Sequence, residues 1–427
     1  MGDLFEERQD DMLQEKLRIA FLVNMPLCNI AGGAEQMLSE ILGEIDLDKF
    51  DVTILLEQPQ INQKYLSSFQ NRVRIITIYN YWCGYYRNYS SNVSGSILRW
   101  KFFPPSGIVR KIVKFLLFKR KLSEIVYSND IIIETETFYF LKHINQYKIK
   151  PIAKVIGWHH TDINEFVRFT NGLRKFETNP ILLMDSVFFV NNSIKEQAKE
   201  YLKDIKPSLV DQVFYTPNGI NPQKIKLLAE RTENLNDYER KLLNSDYILM
   251  VARVAKSKGH SIAIQAFSKV LTKFPQLKLI FVGALAAEGN GELDVEIMAL
   301  GLSERVIFLG AKHNPYVWMK NCKLALLCSS SEAFGLVVLE YMVFNRQIIV
   351  SDIPQLIDAF GDSVNYFLSQ NPHNLAEKML AVLGSDLHVD LAAKYKSLLD
   401  RYSITAATRY FETLLLHVAN RQDAEMS

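Results

Sequence analysis

Apolar and polar segments near the start of the chain predict one strand–helix–strand unit. Leu17–Val23 is a mostly apolar run between polar neighbours, and its length and branched residues are typical of a buried parallel strand. The pair Gly32 and Gly33 follows as a turn, and residues 34–45 carry apolar positions at helical spacing. Residues 51–56 form the next apolar run. Together these segments predict a βαβ unit.

The same alternation continues along the chain and predicts an α/β fold with parallel sheets. Further strands are predicted at residues 73–78, 131–133, 154–156, 186–190, 247–251, 277–282, 306–309, 324–327 and 347–350. Helices are predicted at residues 107–127, 261–273 and 336–344. Turn-forming residues cluster at 217–222 and precede a polar stretch at 231–246, which we interpret as a linker.

The length of the chain indicates more than one domain. A chain of 427 residues fits two domains of roughly 200 residues each. We place a first Rossmann-like domain at residues 1–215 and a second at residues 216–402. Two such domains leave a central cleft between them, and ligands of open parallel sheets bind beyond the carboxyl ends of the strands.

The composition is that of an ordinary folded protein, with 48% hydrophobic and 22% charged residues. A net charge of +2 gives no global case for a nucleic-acid partner. The four cysteines show neither metal-ligand spacing nor a disulfide framework, which favours reduced thiols. Residues 1–16 lack the apolar centre of a signal peptide, and no apolar run reaches the length of about 18 residues that a membrane span needs. We therefore expect a cytoplasmic protein.

Residues 329–340 carry the strongest chemical signal. Three serines follow a predicted strand, Glu332 comes directly after them, and Glu340 lies on the next predicted helix, which we expect to begin near Phe334. Unpaired N–H groups at a helix N-terminus suit anionic or hydroxyl-rich ligands. At the helical rise Glu340 lies roughly two turns beyond this N-terminus, about 9 Å along the helix axis, so the two carboxylates could hold two ends of one extended ligand. The alternative is a helix cap at Glu332 and a solvated face at Glu340.

The spacing of Glu332 and Glu340 resembles the signature of retaining GT-B glycosyltransferases of family 4, also called group 1. The resemblance implies that Glu332 lies beside the donor sugar and that Glu340 binds the ribose of the nucleotide. A carboxylate and a diol form charge-assisted hydrogen bonds, which explains the need for Glu there. The resemblance also implies that Phe334, Gly335 and Leu336 lie at the donor.

A second segment resembles the same family, with Arg253 after a predicted strand and Lys258 before Gly259. The resemblance implies that Arg253 and Lys258 bind the donor diphosphate. Two fixed cations there stabilise the negative charge that develops as the bond between sugar and phosphate breaks. We interpret the neighbouring Lys256 as a solvated loop charge.

Two segments of the first half also resemble the family. Gly32 and Gly33 match its glycine-rich loop, which approaches donor phosphate and acceptor, although an ordinary turn is the alternative. His160 takes the place of a histidine near the reacting sugar, and an ordinary hydrogen-bonded histidine is the alternative. His159 occupies a variable position, and the adjacent pair has the wrong spacing for helical metal ligation.

The resemblance extends from Leu17 to about residue 415 and implies the activity. In the implied reaction a sugar moves with retention from a nucleotide-diphosphate donor, UDP-sugar favoured, to a saccharide, lipid-linked or protein acceptor, in surface polysaccharide or glycoconjugate synthesis. Residues 1–215 are then the acceptor side and residues 216–402 the nucleotide-sugar side. Residues 403–427 form a helix that crosses back to the first domain. We expect no cofactor and no required metal, because Arg253 and Lys258 replace a divalent cation at the diphosphate.

Two other readings stay open. The chain could be a catalytically silent GT-B relative that binds an acceptor or a partner protein. A metal-dependent GT-A transferase has only Asp46 and Asp48 in its favour, and we interpret these two residues as part of a solvated turn. Ala333 and Tyr341 stand where family members usually carry Gly and Ala, which leaves the donor sugar open.

Residues 99–121 carry eight Lys or Arg residues, no acidic residue and five aromatic residues. Basic and aromatic residues together suit an anionic bilayer surface, which makes a membrane surface a candidate partner and peripheral contact a candidate location. The alternative is a helix that covers its own sheet with a solvated basic face.

Overall fold

The protein is described by a computed structural model at residues 15–24, 33–57, 72–78, 107–135, 138–171, 179–285, 291–385 and 390–425, with the backbone alone at 107–114, 169–171 and 421–425. Gly32 and the first part of the basic stretch, 99–106, lie outside the described residues.

A first parallel sheet has the strand order β3-β2-β1-β4-β5-β6-β7. Its strands are β1 (Leu17–Val23), β2 (Phe50–Leu56), β3 (Arg74–Thr77), β4 (Ile131–Thr135), β5 (Lys154–His159), β6 (Ser186–Phe189) and β7 (Val213–Tyr215). The helices around it are α1 (Gly33–Glu44), α2 (Gly107–Ser128), α3 (Tyr139–Gln146), α4 (Ile163–Asn171) and α5 (Asn192–Leu202). Both faces of the sheet are apolar and covered, which is why its strands read as continuous hydrophobic runs.

A second parallel sheet has the strand order β10-β9-β8-β11-β12-β13. Its strands are β8 (Tyr247–Val251), β9 (Lys278–Val282), β10 (Val306–Phe308), β11 (Leu324–Leu327), β12 (Gln347–Ser351) and β13 (Asn365–Phe367). Its helices are α6 (Pro222–Ala229), α7 (Asp237–Leu243), α8 (His260–Val270), α9 (Gly291–Ala299), α10 (Tyr316–Asn321), α11 (Leu336–Met342), α12 (Pro354–Phe360), α13 (Pro372–Leu383) and α14 (Leu391–Arg401). The two Rossmann-like domains face a central cleft, as the sequence predicts.

The last helix, α15 (Ile404–Glu425), packs on the first sheet. The backbone bridges Ile220 to Ser403, so the two chain segments that run between the sheets lie side by side. The Phe411 ring of α15 lies 4.8 Å from the Trp158 ring, measured between centroids. This helix therefore ties the end of the chain to the core beneath β5.

Two predictions about segments are wrong. β5 continues to His159 rather than ending at residue 156, because the segment stays paired with β6. α11 begins at Leu336, as the prediction of a helix at 336–344 has it, and not two residues earlier, because Gly335 has a φ of 85° that is incompatible with the helix. The polar stretch 231–246 is not a simple linker, since it contains α7, whose N-terminus is closed by a capping box of Asn236 and Glu239.

The acidic pair Asp46 and Asp48 lies in the turn between α1 and β2, at the edge of the sheet opposite the carboxyl ends of the strands. Asp46 accepts a hydrogen bond from the backbone N–H of Asp48 at 2.9 Å and pairs with Lys49 at 2.9 Å. These contacts confirm a solvated turn. Within the described residues no helix combines the length and the apolar character that crossing a membrane requires.

Candidate functional site

The loop after β8 presents the two predicted cations at the carboxyl edge of the second sheet. Arg253 is exposed and makes no hydrogen bond or ion pair within the described part of the chain. Lys258 ends a short 3-10 turn, and Gly259 follows with a φ of 73°. A Cβ atom at position 259 would lie 2.2 Å from the carbonyl oxygen of Cys328, so only glycine allows this loop to touch the loop after β11.

The loop after β11 brings Glu332 to Lys258. The Lys258 Nζ donates to Glu332 Oε1 at 2.6 Å, and the Ser329 Oγ donates to the same oxygen at 2.7 Å. The side chains of Lys258 and Glu332 are 20% and 13% exposed, so the pair is largely shielded from water. A backbone bond from Ser330 N to Ser257 O, 2.8 Å long, holds the two loops together. The sequence assigns the two residues separate roles and does not predict that they pair.

Glu340 lies on α11 with its side chain turned toward the interior. It is 8% exposed, and the Tyr316 hydroxyl donates to its Oε1 atom at 3.1 Å. The Gln36 amide, on α1 of the first domain, donates to the same oxygen at 3.4 Å. The alternative of a solvated surface Glu340 is therefore wrong. Tyr316 and Gln36 are distant in sequence and belong to no motif, so only the fold reveals them.

Glu332 and Glu340 do not lie on one continuous helix. Glu332 precedes α11 by four residues, so the helical rise does not give its separation from Glu340. Phe334 is buried and packs edge-on against Phe360 and Tyr402, so its side chain belongs to the core. Its role in donor binding stays a prediction.

The glycine-rich loop of the first domain approaches α11 across the cleft. A Cβ atom at Gly33 would lie 3.1 Å from the Leu336 Cδ1 atom. The first domain thus comes within van der Waals distance of the start of α11, where Leu336 is half-buried. Gly335 is buried and has a φ of 85°, which other residues rarely adopt, and a Cβ there would lie 2.8 Å from the Leu356 Cδ2 atom. Gly32 lies outside the described residues.

The two adjacent histidines have different surroundings. His159 is 1% exposed and packs among the rings of Phe138, Phe166 and Phe189. His160 follows the strand, and its ring lies edge-on to Trp158 at 4.5 Å. Both of its ring nitrogens are buried, and the Asn218 side chain lies close to the ring. Burial lowers the pKa of His160 to about 3, against a smaller opposite effect of Asn218, so the ring is neutral near pH 7.

A hydrogen bond across the cleft joins the histidine loop to the glutamate loop. The Ser331 Oγ donates to Asp162 Oδ2 at 2.5 Å. Asp162 Oδ1 also accepts the backbone N–H of Glu165 at 2.9 Å and so caps α4. Because Ser331 precedes Glu332 and Asp162 follows His160 by two residues, this bond holds the two candidate loops together.

The arrangement combines two cations, two carboxylates and a neutral imidazole at the facing edges of two sheets. Such a set can hold an extended ligand that carries an anionic group, a diol and a group developing positive charge. No group of three or more His, Cys, Asp or Glu residues with metal-binding geometry occurs within the ranges that the structure describes. A cavity of about 550 Å³ lies elsewhere, beside the segments that run between the sheets, and none of these residues lines it.

The chain is similar to known proteins in sequence. The profile of the family described as glycosyl transferases group 1 matches residues 232–397. The O-antigen biosynthesis glycosyltransferase WclY of Escherichia coli is 30% identical over 276 residues, which cover 62% of this chain and 72% of that protein. The chain belongs to the group 1 glycosyltransferases.

This group 1 glycosyltransferase is also similar to a more distant relative in sequence and to solved structures. It is 27% identical over 183 residues, 39% of its length, to a 4-alpha-N-acetylgalactosaminyltransferase of Campylobacter jejuni that acts on a diphospho-undecaprenol compound by its name. The match spans 48% of that relative's length. Anabaena HepE, crystallised with UDP and glucose, superposes with a TM-score of 0.69 at 16% identity, over 94% of this chain and 100% of that one. The sucrose-phosphate synthase of Thermosynechococcus elongatus superposes at 0.64, with 16% identity and coverages of 96% and 100%. These likenesses confirm the GT-B fold.

Proposed function

We propose that the chain is a retaining glycosyltransferase that uses a nucleotide-diphosphate sugar, with UDP-sugar favoured. The acceptor is a saccharide, a lipid-linked compound or a protein, and the product enters surface polysaccharide or glycoconjugate synthesis. The observation that carries the proposal is the cluster of Arg253, Lys258, Glu332 and Glu340 at one edge of the second sheet. Relatives named for O-antigen and diphospho-undecaprenol glycosylation support the acceptor class.

Arg253 and Lys258 hold the diphosphate. The bond from the sugar carbon to the diphosphate oxygen breaks with its electron pair on the diphosphate. The oxygen of an acceptor hydroxyl forms the new bond to carbon, and its proton passes to the departing diphosphate oxygen. Exposed and unpaired within the described residues, Arg253 is ready to receive phosphate oxygens. Lys258 is already oriented by Glu332 at 2.6 Å, which reduces the reorganisation that catalysis requires.

Glu340 holds the ribose and Glu332 lies beside the sugar. The Tyr316 hydroxyl orients the Glu340 carboxylate, which accepts a ribose hydroxyl in the donor complex. Glu332 keeps a negative charge near the sugar ring, which gains positive charge as its bond to diphosphate breaks. His160, whose neutral ring is buried beside Asn218 and Trp158, hydrogen-bonds the sugar or the acceptor hydroxyl.

The proposal is tested by screening nucleotide sugars for thermal stabilisation and for hydrolysis. A donor at 100 times its dissociation constant stabilises the protein by about 2.7 kcal/mol, which a melting curve resolves readily. Hydrolysis of a UDP-sugar, followed by transfer to a lipid-linked acceptor with the anomeric configuration kept, is the expected result. Binding without hydrolysis or transfer would favour the catalytically silent relative, and no binding of any nucleotide sugar would contradict the proposal.

Activity should not depend on a divalent cation. Arg253 and Lys258 supply two positive charges at the diphosphate, so turnover is expected to be the same in excess chelator as in its absence. The measurement is the rate of donor hydrolysis with chelator, with added manganese and with added magnesium. Loss of turnover in chelator and its recovery on adding either metal would overturn the assignment of the two cations.

Substituting each of the two histidines should show an effect on turnover at one position and an effect on the stability of the fold at the other. His160→Ala is expected to lower kcat much more than donor affinity, because it removes a contact to the reacting sugar. His159→Ala empties a site packed among three phenylalanine rings and should destabilise the fold by about 2–5 kcal/mol, the range for large core side chains. The measurements are steady-state kinetics, donor titration and denaturant unfolding. Equal loss of kcat in both variants at unchanged stability would mean that the role of His160 is misassigned.

A further inference from the structure

The outer face of α2 carries large apolar side chains that are exposed to water. The helix packs through Phe118, Leu122, Ile125 and Val126, all buried. Its outward side carries Leu116, which is 56% exposed, and the flanking Phe115 and Leu117 are 44% and 47% exposed. A helix that only covers its own sheet presents polar residues outward, whereas three consecutive large apolar residues here remain in contact with water.

Basic residues accompany this apolar surface. Lys119 and Arg120 are exposed one turn beyond Leu116, and Tyr127 continues the same stripe at 53% exposure. Glu124 is the single acidic residue of α2 and pairs with Lys121 at 3.0 Å. The stripe therefore combines aliphatic, aromatic and uncompensated cationic side chains.

A second segment extends the surface. The turn after α3 contacts α2 because the Tyr147 ring meets the Phe115 ring edge-on at 4.9 Å. In this turn Lys148 and Lys150 are exposed and Ile149 between them is buried. Ile152, the next large apolar residue, is 73% exposed. The turn repeats the composition of the α2 stripe beside it.

Charge is concentrated in these two segments. Residues 107–128 contain six Lys or Arg residues and residues 138–152 contain three, against one acidic residue in both together. The whole chain has a net charge of only +2, so this local excess is offset elsewhere. A surface of this kind is electrostatically complementary to a negatively charged plane.

The topology also fixes where this surface lies on the first domain. α2 connects β3 to β4 of a parallel sheet, so it runs antiparallel to the strands and only its N-terminal end is nearest their carboxyl edge, where Gly33 and His160 lie. The turn at residues 147–152 directly precedes β5 and therefore lies at the opposite edge of the sheet. The apolar and basic side chains thus extend from the middle of α2 toward the edge away from the cleft.

We propose that the outer stripe of α2 together with the turn at residues 147–152, here the α2 surface, docks on an anionic lipid bilayer. Phe115, Leu116 and Ile152 enter the boundary between head groups and acyl chains, and the basic side chains lie at the head groups. Nucleic acid offers the same charge but no apolar layer for the aliphatic side chains. The bilayer therefore accounts for both features of the surface.

Vesicle sedimentation of the full chain tests this docking. The protein should bind vesicles of phosphatidylcholine mixed with phosphatidylglycerol and bind phosphatidylcholine alone weakly. Lys119→Ser with Arg120→Ser removes two charges near the anionic surface and should weaken binding about 30-fold. Leu116→Ser with Leu117→Ser should weaken it about 10-fold or more through lost apolar burial.

Matched variants in the second domain serve as controls. Lys269→Ser with Lys273→Ser removes two exposed charges of the α8 region, and Val295→Ser with Met298→Ser removes two exposed apolar residues of α9. These two control variants should bind vesicles as strongly as the parent protein does. The two α2 variants and the two control variants should all have the melting temperature of the parent and hydrolyse donor at the rate of the parent. Absence of parent binding to anionic vesicles, equal losses in test and control variants, or binding to single-stranded DNA without vesicle binding would each overturn the proposal.

Discussion

Glu332→Gln is expected to lower kcat by about 100- to 1000-fold, the loss typical of removing one preorganised electrostatic contact to the transition state. The carboxylate faces a sugar ring whose positive charge increases as the bond to diphosphate breaks, so it stabilises the transition state more than the bound donor. The KM for donor should change little, because the neutral amide keeps the size of the side chain. Steady-state kinetics with the intact donor measures both quantities.

The ion pair of Glu332 with Lys258 makes a control necessary. Removing the negative charge also releases the ammonium, so part of the loss could come from a displaced Lys258. Ser329→Ala removes the other hydrogen bond to Glu332 but keeps both charges, and it should lower kcat only a few-fold. A Glu332→Gln variant that raises KM and leaves kcat unchanged would show that Glu332 acts in donor binding alone.

Arg253→Ala is expected to lower kcat/KM by about 100- to 1000-fold and to weaken the binding of free nucleoside diphosphate. Arg253 is exposed and makes no hydrogen bond or ion pair to another described residue, so its loss should leave stability unchanged. Lys256→Ala is the matched control, because Lys256 lies in the same loop, is 85% exposed and pairs with Glu292 at 3.5 Å. Kinetics and thermal melting of both variants decide the matter, and equal kinetic losses would indicate a general effect of loop charge.

The strands of both domains could be predicted from the sequence, because a parallel sheet buries both of its faces and its strands are therefore continuous apolar runs. β1, β8 and β11 begin and end where their apolar runs do. β5 is longer than predicted because the Gly157–His159 segment remains paired, and neither glycine nor histidine marks a strand. α7 escapes prediction because its short, polar sequence is held by its capping box and by the burial of Leu242.

The sequence predicts which loops carry the candidate site residues, but it does not predict which of their side chains contact one another. Arg253, Lys258 and Glu332 follow strands whose carboxyl ends share one edge, so their proximity follows from topology. The bond between Lys258 and Glu332 depends on the close approach of two loops at Gly259, which a sequence does not reveal. Tyr316 reaches Glu340 from a different helix, α10, and carries no local signal.

The burial of Glu340 also could not be predicted, because an isolated Glu on a helix reads as a surface residue. The cost of shielding it is offset by the hydrogen bonds from Tyr316 and Gln36. A carboxylate kept in such a place, at the border of two domains, is expected to serve a ligand that enters between them.

Calorimetric titration with uridine diphosphate tests most directly whether the second domain holds a nucleotide diphosphate between Arg253 and Glu340. The parent protein should bind it, and Glu340→Gln should weaken binding about 10- to 100-fold, the value of a hydrogen bond to a charged group. Glu332→Gln should change it far less than Glu340→Gln does, because uridine diphosphate carries no sugar and the substitution only releases Lys258, which is itself a diphosphate ligand. If Glu332→Gln weakened the binding of uridine diphosphate and Glu340→Gln did not, the roles assigned to the two glutamates would have to be exchanged. If the parent protein did not bind uridine diphosphate, the result would contradict a UDP-sugar site.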